Sequence, residues 1–186
     1  FACAQGWGFF DGPVDSATVS TIRSWGANAV RVPLNEQCWL GINGMSATFS
    51  GQAYRDAVTA FVGRLNAAGV IAIVDLHWNA PGTVKATSQQ DMADADHAPD
   101  FWRSVAAHFA ANPSVVFDLY NEPHDISWQC WRDGCTTASR TKVTPSGARA
   151  CARIVQVWIA PDANPPAPAN AGTGSPSRIA WSRCAR

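Results

Sequence analysis

Three apolar stretches of one kind recur along this chain and limit its fold more than any other feature. They are 28–33, 70–78 and 115–123. Each is rich in β-branched and aromatic residues with little polar alternation, which suits strands buried on both faces of a parallel sheet. Each carries a residue fit for chemistry in its last part: Arg31, His77 and Glu122. The separations are 46 residues from Arg31 to His77 and 45 from His77 to Glu122. Helical spacing fills the intervals, and the alternation of helix and strand predicts parallel βαβ units. In an α/β barrel the chemistry sits at the carboxyl ends of the strands, so all three residues are expected on one rim.

The helices have recognisable ends. Asp15 can cap a helix reaching Trp25, with Val19, Ile22 and Trp25 on one face and Gly26 as its stop. Residues 52–68 place Ala53, Ala57, Ala60, Phe61 and Leu65 at helical spacing, closed by Gly69. Pro99 opens a third helix with Phe101, Trp102, Val105, Ala106 and Phe109 inward, and Asn112-Pro113 stops it. Residues 1–12, 34–50, 79–98 and 124–144 read as loops. Trp25 and Trp102 are expected in the core and His108 on the surface.

The last strand ends abruptly at Asn121-Glu122-Pro123, because proline donates nothing to a ladder. A carboxyl group at that point is expected to be partly desolvated. Its pKa then rises, and it stays protonated as a general acid. The plainer alternative is a surface glutamate before a turn. Only one other glutamate exists, Glu36. Arg31 lies inside an apolar strand and needs a partner, which places it in a barrel mouth rather than on a sheet edge. Asp75 and Asp118 are expected deeper in the wall. Asp94, Asp96 and His97 lack further spaced ligands and read as a solvated loop, so no metal and no cofactor is expected.

The 186 residues are 47% hydrophobic, enough for one domain with a real core. Six cysteines beside two lysines suit an oxidising compartment. No apolar run approaches the roughly 20 residues of a membrane span. The net charge of zero hides a split: seven Lys+Arg against thirteen Asp+Glu up to Thr136, then seven against one. Residues 144–186 are Pro, Ala, Ser, Gly and Arg with little periodicity. They read as an irregular tail, either a disordered linker or a segment foreign to the domain. Nucleic-acid binding by that basic tail is the weaker reading, since its arginines are scattered with only two aromatics.

Three motifs carry a family resemblance. Asn-Ala-Val-Arg-Val-Pro-Leu-Asn (28–35), Ile-Val-Asp-Leu-His-Trp (73–78) and Phe-Asp-Leu-Tyr-Asn-Glu-Pro (117–123) closely resemble glycoside hydrolase family 5, the cellulase-type family. Cys-Trp-Leu-Gly (38–41) and Asp-Ala-Asp-His (94–97) resemble one bacterial branch of it. The resemblance covers about residues 1–143. It implies a (β/α)8 barrel that hydrolyses β-linked polysaccharides with retention. By motif, Glu122 is the expected acid/base and Asn121 the ligand of the sugar 2-hydroxyl. Arg31 and His77 are the expected rim groups. Trp39 and Trp78, with Trp128 and Trp131, are candidate sugar platforms.

The family's second carboxylate, a glutamate on its seventh strand, has no counterpart after Glu122. The matched region holds about three βα units, so the chain is expected to form part of a barrel, strands two to four, and not to hydrolyse glycans alone. Glycan binding without cleavage is the alternative. A secreted monomer is expected. Cys130 with Cys135 is the expected local disulfide, since Trp-Arg-Asp-Gly between them permits a turn, and Cys3 with Cys38 a second pair. Cys151 and Cys184 are expected to be free or mispaired.

Overall fold

The computed structural model describes residues 2–136 and the backbone of 142–143. The elements run α1 (Ala2–Gln5), α2 (Ser16–Ser24), β1 (Ala29–Asn35), α3 (Glu36–Leu40), α4 (Gln52–Ala67), β2 (Ile71–Trp78), α5 (Ala98–Phe109), β3 (Val115–Asp118), α6 (Trp128–Asp133), β4 (Cys135–Thr136) and β5 (Lys142–Val143). The strands β1, β2 and β3 form a parallel sheet in that order, and β4 and β5 form a short antiparallel ribbon. Sequential order without a switch point is how a barrel grows, and the connecting helices α4 and α5 bury their apolar stripes in one core with the sheet. The result is a partial (β/α)8 barrel.

Local chemistry sets the ends of these elements. The Asp15 carboxylate accepts from the Thr18 amide at 2.8 Å and starts α2. Past the end of α4, Gly69 takes φ +72°, and the Val70 amide returns to the Leu65 carbonyl at 2.9 Å. That left-handed residue is what glycine supplies without a Cβ clash. Along α4, Tyr54, Val58, Phe61, Val62 and Leu65 are buried. Along α5, Phe101, Trp102, Val105 and Phe109 are buried. Both stripes share one core with Val32, Leu34, Ala72, Val74, Leu76, Val115 and Phe117 of the sheet. Each fully buried Leu or Phe contributes roughly 1.5–3 kcal/mol.

Alternation sends the remaining strand residues to the opposite face. There, Arg31 is in register with Ile73 and Ile73 with Val116, while Pro33 is in register with Asp75 and Asp75 with Asp118. The β1–β2 ladder is interrupted once. Leu34 pairs with Leu76 and Asn35 with Trp78, so His77 is the extra residue of a bulge.

Several loop expectations are corrected. The 1–12 segment contains α1, the 34–50 segment contains α3, and the 124–144 segment contains α6 and the ribbon. Short helices of four to six residues leave too little periodicity to be read from sequence. Trp25 is also corrected: it lies just past the last turn of α2 and is 75% exposed. The disulfides Cys3–Cys38 and Cys130–Cys135 are both formed. The irregular tail of 144–186, with Cys151 and Cys184, lies outside the described residues.

Candidate functional site

Arg31 is the centre of the rim. Its guanidinium donates to Asp75 Oδ2 at 2.6 Å and to the side-chain oxygen of Asn121, and it lies 3.2 Å from His77 Nδ1. Asp118 Oδ2 is more distant, 3.9 Å from Nε. His77 Nδ1 lies 2.8 Å from the same Asp75 oxygen. With a proton on Nδ1, the ring donates to Asp75 and its orientation is fixed. The partner that Arg31 requires is therefore Asp75, fully buried and two residues before His77 on the same face of β2. Arg31 keeps 41% of its side chain exposed, so this pair is half in water and the guanidinium faces outward as well. Burial pushes the Asp118 carboxyl above its usual range, and Asp75 adds to the rise while Arg31 opposes it.

Beyond β3 the chain continues along β2. The Asn121 amide donates to the Leu76 carbonyl at 3.0 Å, which brings Asn121 and Glu122 to the same end as His77. Asn121 is buried and Glu122 is exposed. The partial burial expected for Glu122 is therefore absent among the described residues. Its backbone is the unexpected feature, with φ +43°. A non-glycine residue in this left-handed region costs of order 1–2 kcal/mol and persists only where its surroundings enforce it. The surroundings here are the 79–98 loop. Gln89 Nε2 donates to the carbonyls of Asn121 and Glu122 at 2.6 and 2.8 Å. Its Oε1 accepts from Asn121 Nδ2 at 2.7 Å.

That loop is also corrected from solvated to braced. Asp94 is fully buried. Its Oδ1 accepts from the amides of Asp96, His97 and Ala98 at the start of α5, and Oδ2 accepts from Asn79. Tyr120 donates to Asn79 Oδ1 at 2.7 Å and to the Gln90 carbonyl at 2.8 Å. Glu36, fully buried at the start of α3, accepts from the Ala80 amide at 2.8 Å. Burial, then the Asp94 charge, pushes the Glu36 carboxyl well above its usual range.

Trp39 is corrected from candidate platform to core. It is 0% exposed, its indole donates to Ser104 at 3.0 Å, and its ring meets Phe101 and Phe109 edge-on or tilted. Trp78 is half-buried at the end of β2 and Trp128 is exposed, whereas Trp131 is buried. Asp91, His124 and Asp125 each bring one ligand atom within 4.8 Å of the others; His124 and Asp125 are exposed and bonded to each other. The sequence left Asp75, Gln89 and the Glu36–Asp94 pair unassigned. Asp75 had a signal, because it shares a strand face with His77. Gln89 had none, since a glutamine in a polar loop is unremarkable.

Comparison with known proteins follows the same residues. The model of cellulase, glycosyl hydrolase family 5, matches residues 3–155. Endoglucanase 1 of Saitozyma flava is 30% identical over 124 residues, covering 66% of this chain and 36% of that protein. Endo-beta-1,4-glucanase B of Emericella nidulans is 31% identical over 113 residues, 60% of this chain and 32% of that protein. The solved structure of XacCel5A in complex with cellopentaose aligns with a TM-score of 0.49 at 28% identity, over 64% of this chain and 37% of that one. The chain thus spans about a third of the length of the curated relatives it matches. With the family model matching well over half of its residues, this chain belongs to glycosyl hydrolase family 5.

Proposed function

We propose that the chain carries the acid/base side of a retaining β-glucan hydrolase of the endoglucanase type. The observation that supports this most is the convergence of Arg31, His77 and Asn121 on one rim, with Glu122 next in the chain. Retention needs one carboxyl group to protonate the leaving oxygen and a second, about 5–5.5 Å away, to attack the anomeric carbon. Glu122 takes the first role. Asn121 holds the sugar 2-hydroxyl, while Arg31 and His77 shape the rim that receives the sugar, with Trp78 beside them.

The role of nucleophile fits neither Asp75 nor Glu36. Asp75 is buried against Arg31 and His77, and Glu36 is buried in the loop brace. The cystines support secretion. No helix among the described residues is long and apolar enough to cross a membrane.

A second reading, glycan binding without cleavage, rests on the sequence holding only two glutamates, one of them buried. Reducing-sugar release from carboxymethylcellulose, measured on this chain and on a longer protein that contains it, separates the two. Hydrolysis lost in Glu122→Gln supports the acid role. Unchanged hydrolysis in that variant removes it.

A further inference from the structure

We infer that Gln89 is a positioning residue for the acid/base end of the site, acting through Asn121 and the backbone of Glu122. This deepens the proposed function and rests on it for the roles of those two residues.

One amide makes three hydrogen bonds to two consecutive residues. Its nitrogen holds both carbonyls, Asn121 at 2.6 Å and Glu122 at 2.8 Å, and its oxygen takes the Asn121 side chain at 2.7 Å. The first consequence concerns the Asn121 side chain. An asparagine amide is nearly symmetric in shape, and either end can face a given neighbour. Here Oδ1 is held by Arg31 and Nδ2 by Gln89, so only one orientation satisfies both. Nδ2 has two protons, and Gln89 takes one. The other is left for a sugar hydroxyl. Without Gln89, the amide is free to turn and offer the wrong end.

The second consequence concerns Glu122. Its left-handed φ of +43° directs its carbonyl and the one before it to the same donor. Gln89 therefore helps to enforce the conformation that aims the Glu122 side chain. The surrounding loop is built to hold Gln89 still. The next three carbonyls along the loop are each engaged: Gln90 by Tyr120, Asp91 by the His124 amide and Met92 by Asn79. Two contacts join the loop to α3, Ala80 to Glu36 and Ala86 to Gln37. The segment 89–92 thus lies along 120–124 as a splint, and Gln89 is the side chain in it that bonds both Asn121 and Glu122.

The test has two arms. In this chain labelled with 15N at asparagine, the Asn121 NH2 protons should exchange slowly and resonate apart from those of exposed asparagines. In Gln89→Met, which keeps length but neither donor nor acceptor, they should move to the exposed position while the melting temperature changes little. Gln89→Glu keeps an acceptor and loses both donors; it tests the carbonyl contacts separately and serves if Gln89→Met melts early. In an active protein containing this chain, Gln89→Met should lower kcat on glucan about 10- to 100-fold with KM within about twofold, as expected when a reacting group is misaimed rather than unbound. Unmoved Asn121 resonances overturn the inference. So does an unchanged kcat in Gln89→Met where Glu122→Gln abolishes turnover. If Glu122→Gln itself leaves turnover intact, the proposed function falls, and the resonance arm still decides whether Gln89 holds Asn121.

Discussion

The two glutamates of this chain stand in opposite surroundings. Glu36 is fully buried, bonded to the Ala80 amide and faced by Asp94. Glu122 is exposed at a strand end, on a left-handed backbone, beside Asn121. Burial and a raised pKa are the usual marks of a catalytic acid, and here they fall on Glu36. Yet Glu36 faces a splinted loop, and its hydrogen bond among the described residues comes from the Ala80 amide of that loop. The perturbed group braces a loop, while the proposed acid is the group placed at the strand ends.

The strongest way to break that contrast is Glu122→Gln in an active protein that contains this chain. Loss of a positioned general acid should lower kcat on polysaccharide by about 10²- to 10⁴-fold and leave the melting curve unchanged. An aryl glycoside with a good leaving group should suffer far less in its first step. Equal losses on both substrates would remove the acid role.

Glu36→Ala tests the other side. It leaves the Ala80 amide without its acceptor and should cost about 1–3 kcal/mol in stability, read by urea titration, with substrate contacts untouched. Stability unaffected by this substitution would mean that the loop does not depend on Glu36.

A subtler test is pH. The folded pKa of Glu36 lies above the unfolded value, near 4.5, so its neutral form favours folding. That contribution is full below about 4.5 and is lost as pH rises through the folded pKa. Wild-type melting temperature should therefore rise as pH falls toward about 4.5. Glu36→Gln, which keeps the acceptor for Ala80, should flatten that slope. Asp15, held low by the Thr18 amide, acts oppositely and only near or below its usual range. An unaltered slope in Glu36→Gln would assign the effect elsewhere.

The smallest effect is expected from Tyr120→Phe. It removes the donor to Asn79 and to the Gln90 carbonyl, about 1 kcal/mol, and should loosen the splint enough to speed amide exchange at His124. Exchange at His124 equal to wild type would show the splint to be stiffer than its contacts.

The large features were legible in the sequence because they rest on periodicity and on stop signals. β1, β2, α4 and α5 announced themselves through apolar spacing, and Asp15, Gly26 and Gly69 marked the boundaries. Chain spacing pointed to one end of the sheet for Arg31 and His77, which meet at 3.2 Å, but not to their register, since Arg31 is in register with Ile73. What stayed hidden depends on contacts between segments far apart in sequence. Trp39 is buried because α3 folds under α5, and nothing local to 38–41 says so. Asp94 accepts from amides three and four residues ahead, at the start of α5, inside a stretch that otherwise reads as hydrophilic. Glu122 was expected to be enclosed, and the described residues bring no wall over it.

The irregularity at His77 has a consequence for anyone who would redesign this sheet. A repair that deleted one residue to straighten the ladder would give Asn35 an unbroken partner row, yet it would turn the imidazole away from Asp75 and the rim. The most regular version of this strand would be a mute one: tidier hydrogen bonding, and no histidine beside Arg31 and Asp75.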